Sequence, residues 1–296
     1  MSHYMLGGVN VGYLHPVRVM GIINVSPESF YKKSIKSRAD DIKKEVKLME
    51  EGGARYIDVG GMSTAPYIDS IISEETEKRR IQNAIKAISE VSSLPISVDT
   101  IRSGVAQAAI KSGATILNDV TGFNYDKKML NVISRYSPDI VLCAHSSQKS
   151  IGTAQDTAKI LEHTMQKVQR YGADKTRMVI DPCIGFFRDS DSPWCTQIDY
   201  SWVQRDIDII QHLRQITEDM PILVSVSNKS FIGSILDDRS ADGRLYGSIA
   251  AEVMSVVSGA DIIRTHNVQQ SLDAIKVASA IIQRKYDKAS TQNSNS

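Results

Sequence analysis

The chain contains only three cysteines, Cys143, Cys183 and Cys195, with no CxxC pair among them. An odd number without paired spacing argues against a disulfide framework and points to a reducing, cytoplasmic setting. Neither sign of charge is in excess: 35 Lys and Arg stand against 34 Asp and Glu, a formal net charge of +1. Bulk electrostatics therefore gives no reason to expect a nucleic-acid or membrane partner. No apolar stretch has transmembrane length, and the N-terminus lacks a basic-then-apolar signal. Several catalytic signatures are missing too. HExxH, a zinc-spaced Cys/His cluster and an arguable Ser–His–Asp order are all absent, which sets aside zinc hydrolysis and triad acyl transfer. No GxGxxG follows the first apolar run, as a doubly wound dinucleotide fold would usually require.

What the chain does have is one pattern, repeated. Residues 17–24 form an apolar run rich in β-branched side chains that ends abruptly at Asn24. Such a run, bounded by turn signals, reads as a strand buried on both faces of a parallel sheet. Seven further runs follow, at about 56–59, 95–98, 115–117, 140–144, 177–180, 221–226 and 261–264. Helical periodicity separates them. A helix at 39–51 is stopped by Gly52-Gly53, and Ser73 caps one that opens with Glu74-Glu75. Helices are also expected at 103–111, about 127–134, 157–171, 199–216 and from 230 to 258 with a break near 237–243, then after 267. Eight strands alternating with helices across about 270 residues predict an α/β fold, a single-domain (β/α)₈ TIM barrel. Residues 1–16 read as a strand pair or plug ahead of it, 17–287 as the barrel, and 288–296 as a polar disordered tail.

In such a barrel, side chains just beyond the strands converge on one pocket at the C-terminal face. Here they are Asn24, Asp58, Thr64, Asp99, Asn118, His145, Asp181, Lys229, Arg264 and His266. Asp99, Asn118, Asp181 and Lys229 offer the acceptors and donors that a 2-amino-4-oxo pyrimidine edge asks for. The competing structural reading is that they cap helices or brace the rim. Asn24, Thr64, Arg264 and His266 suit an anion, with Arg264 at the strand that often carries the phosphate site. For Arg264 the competing reading is a salt bridge to a rim carboxylate. His145 is as readily structural as functional. A Mg²⁺ ion is compatible with the set, because that ion takes few protein ligands when phosphates supply the rest.

At these residues the chain resembles the dihydropteroate synthase family of pterin-binding barrel enzymes. The motifs are MGIINVSPESF from Met20, GARYIDVGGMST from Gly53, SVDT from Ser97, NDVTG from Asn118, DPCIGF from Asp181, SNKSFIG from Ser227 and GADIIRTHNV from Gly259. The resemblance implies a transferase of folate or folate-like cofactor biosynthesis. Its members join 6-hydroxymethyl-7,8-dihydropterin diphosphate to the amine of p-aminobenzoate and release diphosphate. It implies that Asp99, Asn118, Asp181 and Lys229 hold the pterin. It also implies that Asn24 meets the metal and the diphosphate, with Thr64, Arg264 and His266 on the anion, so that Asn24, Lys229, Arg264 and His266 carry the catalysis. A homodimer is implied by the same likeness.

The chain departs from the family pattern in places. Ala65 stands where the family has arginine after Ser63-Thr64, and Lys32-Lys33-Ser34 replace an Asp-Gly-Gly. Ala144 precedes His145 in place of methionine, Asn228 replaces an arginine, and Phe187-Arg188 replace a glycine and a lysine. These changes are expected to gather at the aromatic amine, so the second substrate is p-aminobenzoate or a modified aminobenzene such as a phosphoribosylated one, which Lys32 and Lys33 would favour. Two other readings are a pterin-binding paralogue without catalysis and a pterin-dependent methyltransferase. The second is disfavoured by an anion site that a methyl donor does not need.

Overall fold

A computed structural model describes residues 3–26, 38–64 and 71–284. The chain opens with an antiparallel pair, β1 (Tyr4–Leu6) and β2 (Val9–Val11). Gly7 and Gly8 turn between them with positive φ, as a tight hairpin requires. Gly7 is needed twice over, since a Cβ there would stand 2.4 Å from Cβ of Pro95. Its N–H donates to Asp139 Oδ2 at 2.5 Å, which pins the hairpin beneath the barrel.

Eight parallel strands follow: β3 (Arg18–Asn24), β4 (Tyr56–Gly60), β5 (Ile96–Asp99), β6 (Ile116–Asp119), β7 (Asp139–Cys143), β8 (Met178–Asp181), β9 (Leu223–Val224) and β10 (Ile262–Thr265). Each pairs with its neighbour in sequence except β8 with β9, and β10 pairs with β3. A bridge between Ile180 and Ile222 links β8 to the approach of β9 and closes the ring. The barrel is therefore real, and its strands read as apolar runs because both faces are covered: all of β4 and β7 is buried.

The helices are α1 (Ala39–Glu51), α2 (Glu74–Ser89), α3 (Ser103–Lys111), α4 (Met129–Tyr136), α5 (Ala154–Gln169), α6 (Trp202–Gln211), α7 (Leu213–Ile216), α8 (Ser230–Ile235), α9 (Leu245–Val257) and α10 (Val268–Ile281). In α1, Ile42, Val46 and Met49 form the buried stripe that helical periodicity requires. Ser73 accepts the N–H of Thr76 at 3.2 Å and caps α2.

Three expectations shift. The helix expected at 157–171 begins at Ala154, because the Thr153 hydroxyl accepts the Asp156 N–H at 3.1 Å and sets the start earlier. The helix expected to run to 216 divides at His212, whose φ and ψ of −119° and 28° leave the helical region. The strand expected at 221–226 keeps a ladder only over Leu223–Val224; Pro221 has no N–H to give, and its carbonyl accepts from Ile180 at 2.9 Å instead. The tail expected at 288–296, and the substituted positions Lys32, Lys33 and Ala65, lie outside the described residues. Among the described residues, no helix is long and apolar enough to cross a membrane.

Candidate active site

Six of the eight barrel strands deliver a side chain from their C-terminal ends to one cleft. Asn24 comes from β3, Asp99 from β5, Asn118 from β6, Cys143 from β7, Asp181 from β8 and Arg264 from β10. Thr64, Ser225, Ser227, Lys229 and His266 complete the polar wall, and Ile22, Met62, Val120, Ile184 and Phe186 supply apolar surface. The cleft encloses about 970 Å³ with its open mouth included. A concave, partly apolar site with a few converging polar groups is the ordinary form of a small-molecule pocket.

Arg264 organises the floor. Its Nε and Nη2 donate to Asp58 Oδ2 at 2.8 and 2.5 Å, Nη2 also reaches Asp99 Oδ2 at 2.8 Å, and Nη1 reaches Ser225 Oγ at 3.3 Å. Asp58 is fully buried, and its other oxygen accepts from Asn118 Nδ2 at 3.4 Å. Both readings of Arg264 from sequence thus meet in one residue: it is ion-paired to two carboxylates, and it lines the cleft.

The second cation is Lys229. Its Nζ lies 4.2 Å from the centre of the Phe186 ring. Gly185 makes room for its stem, since a Cβ on that residue would stand 3.0 Å from Lys229 Cδ. Asp181 accepts the N–H of Cys183 at 2.7 Å through Oδ1, a turn that presents its carboxylate at the end of β8. His266 Nδ1 sits 3.0 Å from Ser227 Oγ, and its Nε2 is 3.5 Å from Asn24 Nδ2.

Burial dominates the electrostatics. It pushes Asp99 up to about 7, against the pull of Arg264, and it raises Asp181 as well. Burial lowers Lys229, with Asp181 and Asp206 opposing. Burial, then the nearby charges of Arg264 and Lys229, depress His266 to about 3, so its imidazole is neutral at ordinary pH. Burial also works against the charge on Arg264, but Asp58 and Asp99 outweigh it and hold the guanidinium above its ordinary value. The result is a partly enclosed cleft with two cations, compensating carboxylates and a neutral histidine. Such a site can hold a flat, hydrogen-bonding heterocycle and oppose charge that develops on an anion.

All eight residues singled out for substrate, Asn24, Thr64, Asp99, Asn118, Asp181, Lys229, Arg264 and His266, line this cleft. His145 does not. It is buried beside it, with Nε2 3.2 Å from the Pro193 carbonyl and Nδ1 3.3 Å from Asn124 Nδ2. Sequence reasoning missed Ser225, Ser227, Cys143 and Phe186. The two serines alternate in Pro221-Ile222-Leu223-Val224-Ser225-Val226-Ser227, and a period of two is the signal that would have placed both on one face.

Four of the substituted positions fall within the described residues, and each is buried in the fold. Ala144 is buried, Phe187 lies 3.8 Å beneath the guanidinium of Arg205, and that of Arg188 lies 3.6 Å over the ring of Trp202. Asn228 is buried with a φ of 57°, its N–H donating to Ser248 Oγ at 2.9 Å and its carbonyl accepting from Arg244 at 2.9 Å. None of the four lines the cleft.

Comparison with known proteins places this geometry. A family model described as pterin binding enzyme matches residues 20–266. A dihydropteroate synthase of Clostridium beijerinckii is 32% identical over 269 residues, covering 90% of this chain and 94% of that protein. That of Escherichia coli is 31% identical, covering 95% of this chain and 97% of its own. A solved dihydropteroate synthase of Coxiella burnetii in complex with pteroic acid superposes with a TM-score of 0.78 at 30% identity, over 95% of this chain and 98% of that one. One from Xanthomonas albilineans, solved with 4-aminobenzoic acid, gives 0.80 at 27% identity, over 95% of this chain and 99% of that one. The family match runs from Met20 in β3 to His266 just beyond β10 and so includes every residue lining the cleft, and the chain belongs to the pterin-binding enzymes, among the dihydropteroate synthases.

Proposed function

We propose that this enzyme condenses 6-hydroxymethyl-7,8-dihydropterin diphosphate with p-aminobenzoate, or a related aminobenzene, and releases diphosphate. The observation that carries the reading is the meeting in one cleft of Asp99, Asn118, Asp181 and Lys229 with Asn24, Thr64, Arg264 and His266. The carboxylates accept from the pterin ring N–H and amino groups, Asn118 donates and accepts, and Lys229 donates to the ring carbonyl. The diphosphate lies toward Asn24, Thr64, Arg264 and His266. As the bond from the pterin methylene to the leaving oxygen breaks, negative charge grows on the diphosphate. The fixed charge of Arg264 and the neutral imidazole of His266 oppose it without reorganising. The amine nitrogen attacks the electron-deficient methylene and loses a proton, and no protein nucleophile is needed.

The residues present fit a Mg²⁺ ion held mainly by its substrate. Among the described residues no cluster of three His, Cys, Asp or Glu could bind a metal. Asn24 offers a hard carboxamide oxygen on the cleft wall, beside Gly60, where a Cβ would stand 3.4 Å from that oxygen. One such ligand suffices when phosphate and water supply the others. The ion, when bound, would neutralise diphosphate charge.

Two coarser features complete the reading. The three cysteines are unpaired, in keeping with a cytoplasmic enzyme. Met254 and Val257 on α9 and Val277 and Ile281 on α10 are exposed apolar side chains on adjacent helices, the kind of face a second copy would cover in a homodimer. Sedimentation at micromolar concentration tests the dimer.

The decisive experiment for the reaction is release of diphosphate from the pterin diphosphate with each candidate amine. Release with p-aminobenzoate and formation of dihydropteroate support the reading. Pterin binding without release for any amine would leave a binding protein.

A further inference from the structure

The turn that carries Asp181 is held from behind by two adjacent buried charges that do not line the cleft. Arg205 and Asp206 are consecutive in α6, and both are essentially without solvent exposure. Successive helical residues point about 100° apart, so burying both requires the chain to wrap that turn of the helix. The segment that wraps it is Asp181–Gly185. Arg205 Nη2 donates to the Pro182 carbonyl at 2.8 Å, and Nη1 to the Cys183 carbonyl at 3.3 Å. Asp206 Oδ1 accepts the Gly185 N–H at 2.9 Å and lies 3.3 Å from Arg205 Nη1. Thr157 Oγ1 on α5 and the ring of Phe187 complete the seat of the guanidinium.

The segment so gripped is not one the backbone would choose. Cys183 and Gly185 both have positive φ, 54° and 89°, and the first carries a side chain. A non-glycine residue in that region persists only where its surroundings over-determine it. Both ends of the segment touch substrate-facing groups. Cys183 N–H holds the Asp181 carboxylate, and Gly185 lies against the stem of Lys229. A buried ion pair is weak evidence of stability, because well-packed apolar side chains often do as well or better in its place.

We propose that Arg205 and Asp206 are positioning residues for the pterin site, fixing the turn from Asp181 to Gly185 so that the Asp181 carboxylate and the Lys229 ammonium face one ring edge. The assignment rests on the pterin reading given above. Asp206 has a second effect. Its Oδ2 is buried without a hydrogen-bond partner among the described residues, and its charge, with that of Asp181, sustains the protonated form of Lys229. The groups that act on Lys229 are Asp181, Arg264, Asp206 and Cys183.

Calorimetry with a diphosphate-free 6-hydroxymethylpterin, and separately with inorganic diphosphate, tests this on wild type, Arg205→Met and Asp206→Asn. Arg205→Met should lower the thermal transition, because Asp206 loses its buried counter-charge, yet remain folded by circular dichroism at the assay temperature and lose pterin affinity roughly ten- to a hundredfold, the scale seen when a group that orients a ligand is removed. Diphosphate affinity should be unchanged. Asp206→Asn keeps an acceptor for Gly185 and is close to isosteric, so it serves if Arg205→Met does not fold. Its loss at pH 7 should be smaller, but the alkaline limb of pterin affinity should move to lower pH, because Lys229 has lost a stabilising negative charge. A purely structural role would not move that limb. Native pterin affinity in folded Arg205→Met, or an unmoved limb in Asp206→Asn, overturns the positioning role alone. A wild type without pterin affinity overturns the pterin assignment and this one with it.

Discussion

Arg264 and Asp58 face each other across the barrel floor, with two guanidinium nitrogens on a single carboxylate oxygen at 2.8 and 2.5 Å. Residues 206 apart in sequence are thereby locked, because β10 and β4 both flank β3 in the closed sheet. The pair fixes the plane of the guanidinium before any substrate arrives. The side chain that would meet the leaving diphosphate is already oriented and already compensated. Such preorganisation keeps the cost of reorganisation out of the chemical step.

Removing that arginine therefore has two consequences. Arg264→Ala should lower kcat/KM by roughly 10²–10³, the scale for one preorganised donor. It should also destabilise the fold by about 3–5 kcal/mol, because fully buried Asp58 is left without its counter-charge. Lysine should recover part of both, since it restores the charge but not the planar fork. Steady-state kinetics and denaturant unfolding on the same preparations check the pair of effects. An Arg264→Ala protein with ordinary turnover would remove Arg264 from the reaction.

Asp181 should matter to the pterin and little to the anion. Its Oδ1 is occupied by the Cys183 N–H, an acceptor role that asparagine can keep. Asp181→Asn should weaken binding of a diphosphate-free pterin by about 1.5–3 kcal/mol, the value of a charge-assisted hydrogen bond. Calorimetry reads this directly, and unchanged affinity would exclude Asp181 from the ring edge.

His266 should stay neutral through the physiological range. Burial and two neighbouring cations hold it near 3 in the folded chain, below its ordinary value of 6.5. Below about pH 6.5 the unfolded chain then binds a proton that the folded chain does not, so this residue makes the fold less stable as pH falls from there toward 3. An NMR titration of the ligand-free protein should show no His266 transition between pH 5 and 8. A transition near 6.5 would mean that the ring is charged in use.

Glu252 offers a clean test away from the cleft. It is buried on α9, its carboxyl is pushed up to about 7 by burial, and the hydroxyls of Thr265 and Ser271 that face it pair with each other at 3.0 Å. Because its folded pKa lies above the unfolded one, its ionisation costs stability progressively from about pH 4.5 to 7 and fully above 7. Glu252→Gln should therefore stabilise the protein by on the order of 1–3 kcal/mol at pH 8, and by nothing at pH 4. Denaturant unfolding at the two pH values checks it; a gain equal at both would trace to packing.

Much of this was legible in the sequence for a physical reason. A parallel strand covered on both faces is mostly apolar, so a carboxylate or amide that breaks the run marks its end, as at Asn24, Asp99 and Asp181. The closed fold sends those ends to one place, and strand order needs only short right-handed connections. Capping chemistry is equally local, which is why Ser73 could be read directly. The contacts of Asn228 were not legible, because its partners Ser248 and Arg244 have no local relation to it in the sequence.

What the sequence alone determined is therefore the barrel, its strand ends and the kinds of chemistry at them, since each follows from periodicity and composition within a few residues. What only the tertiary structure decided is pairing and depth. That Arg264 spends its fork on Asp58 and Asp99, that His145 lies beside the cleft, and that Arg205 and Asp206 grip the Asp181 turn all depend on contacts between distant segments. Such contacts are fixed by how eight strands close and how each loop then packs, and no local pattern encodes them.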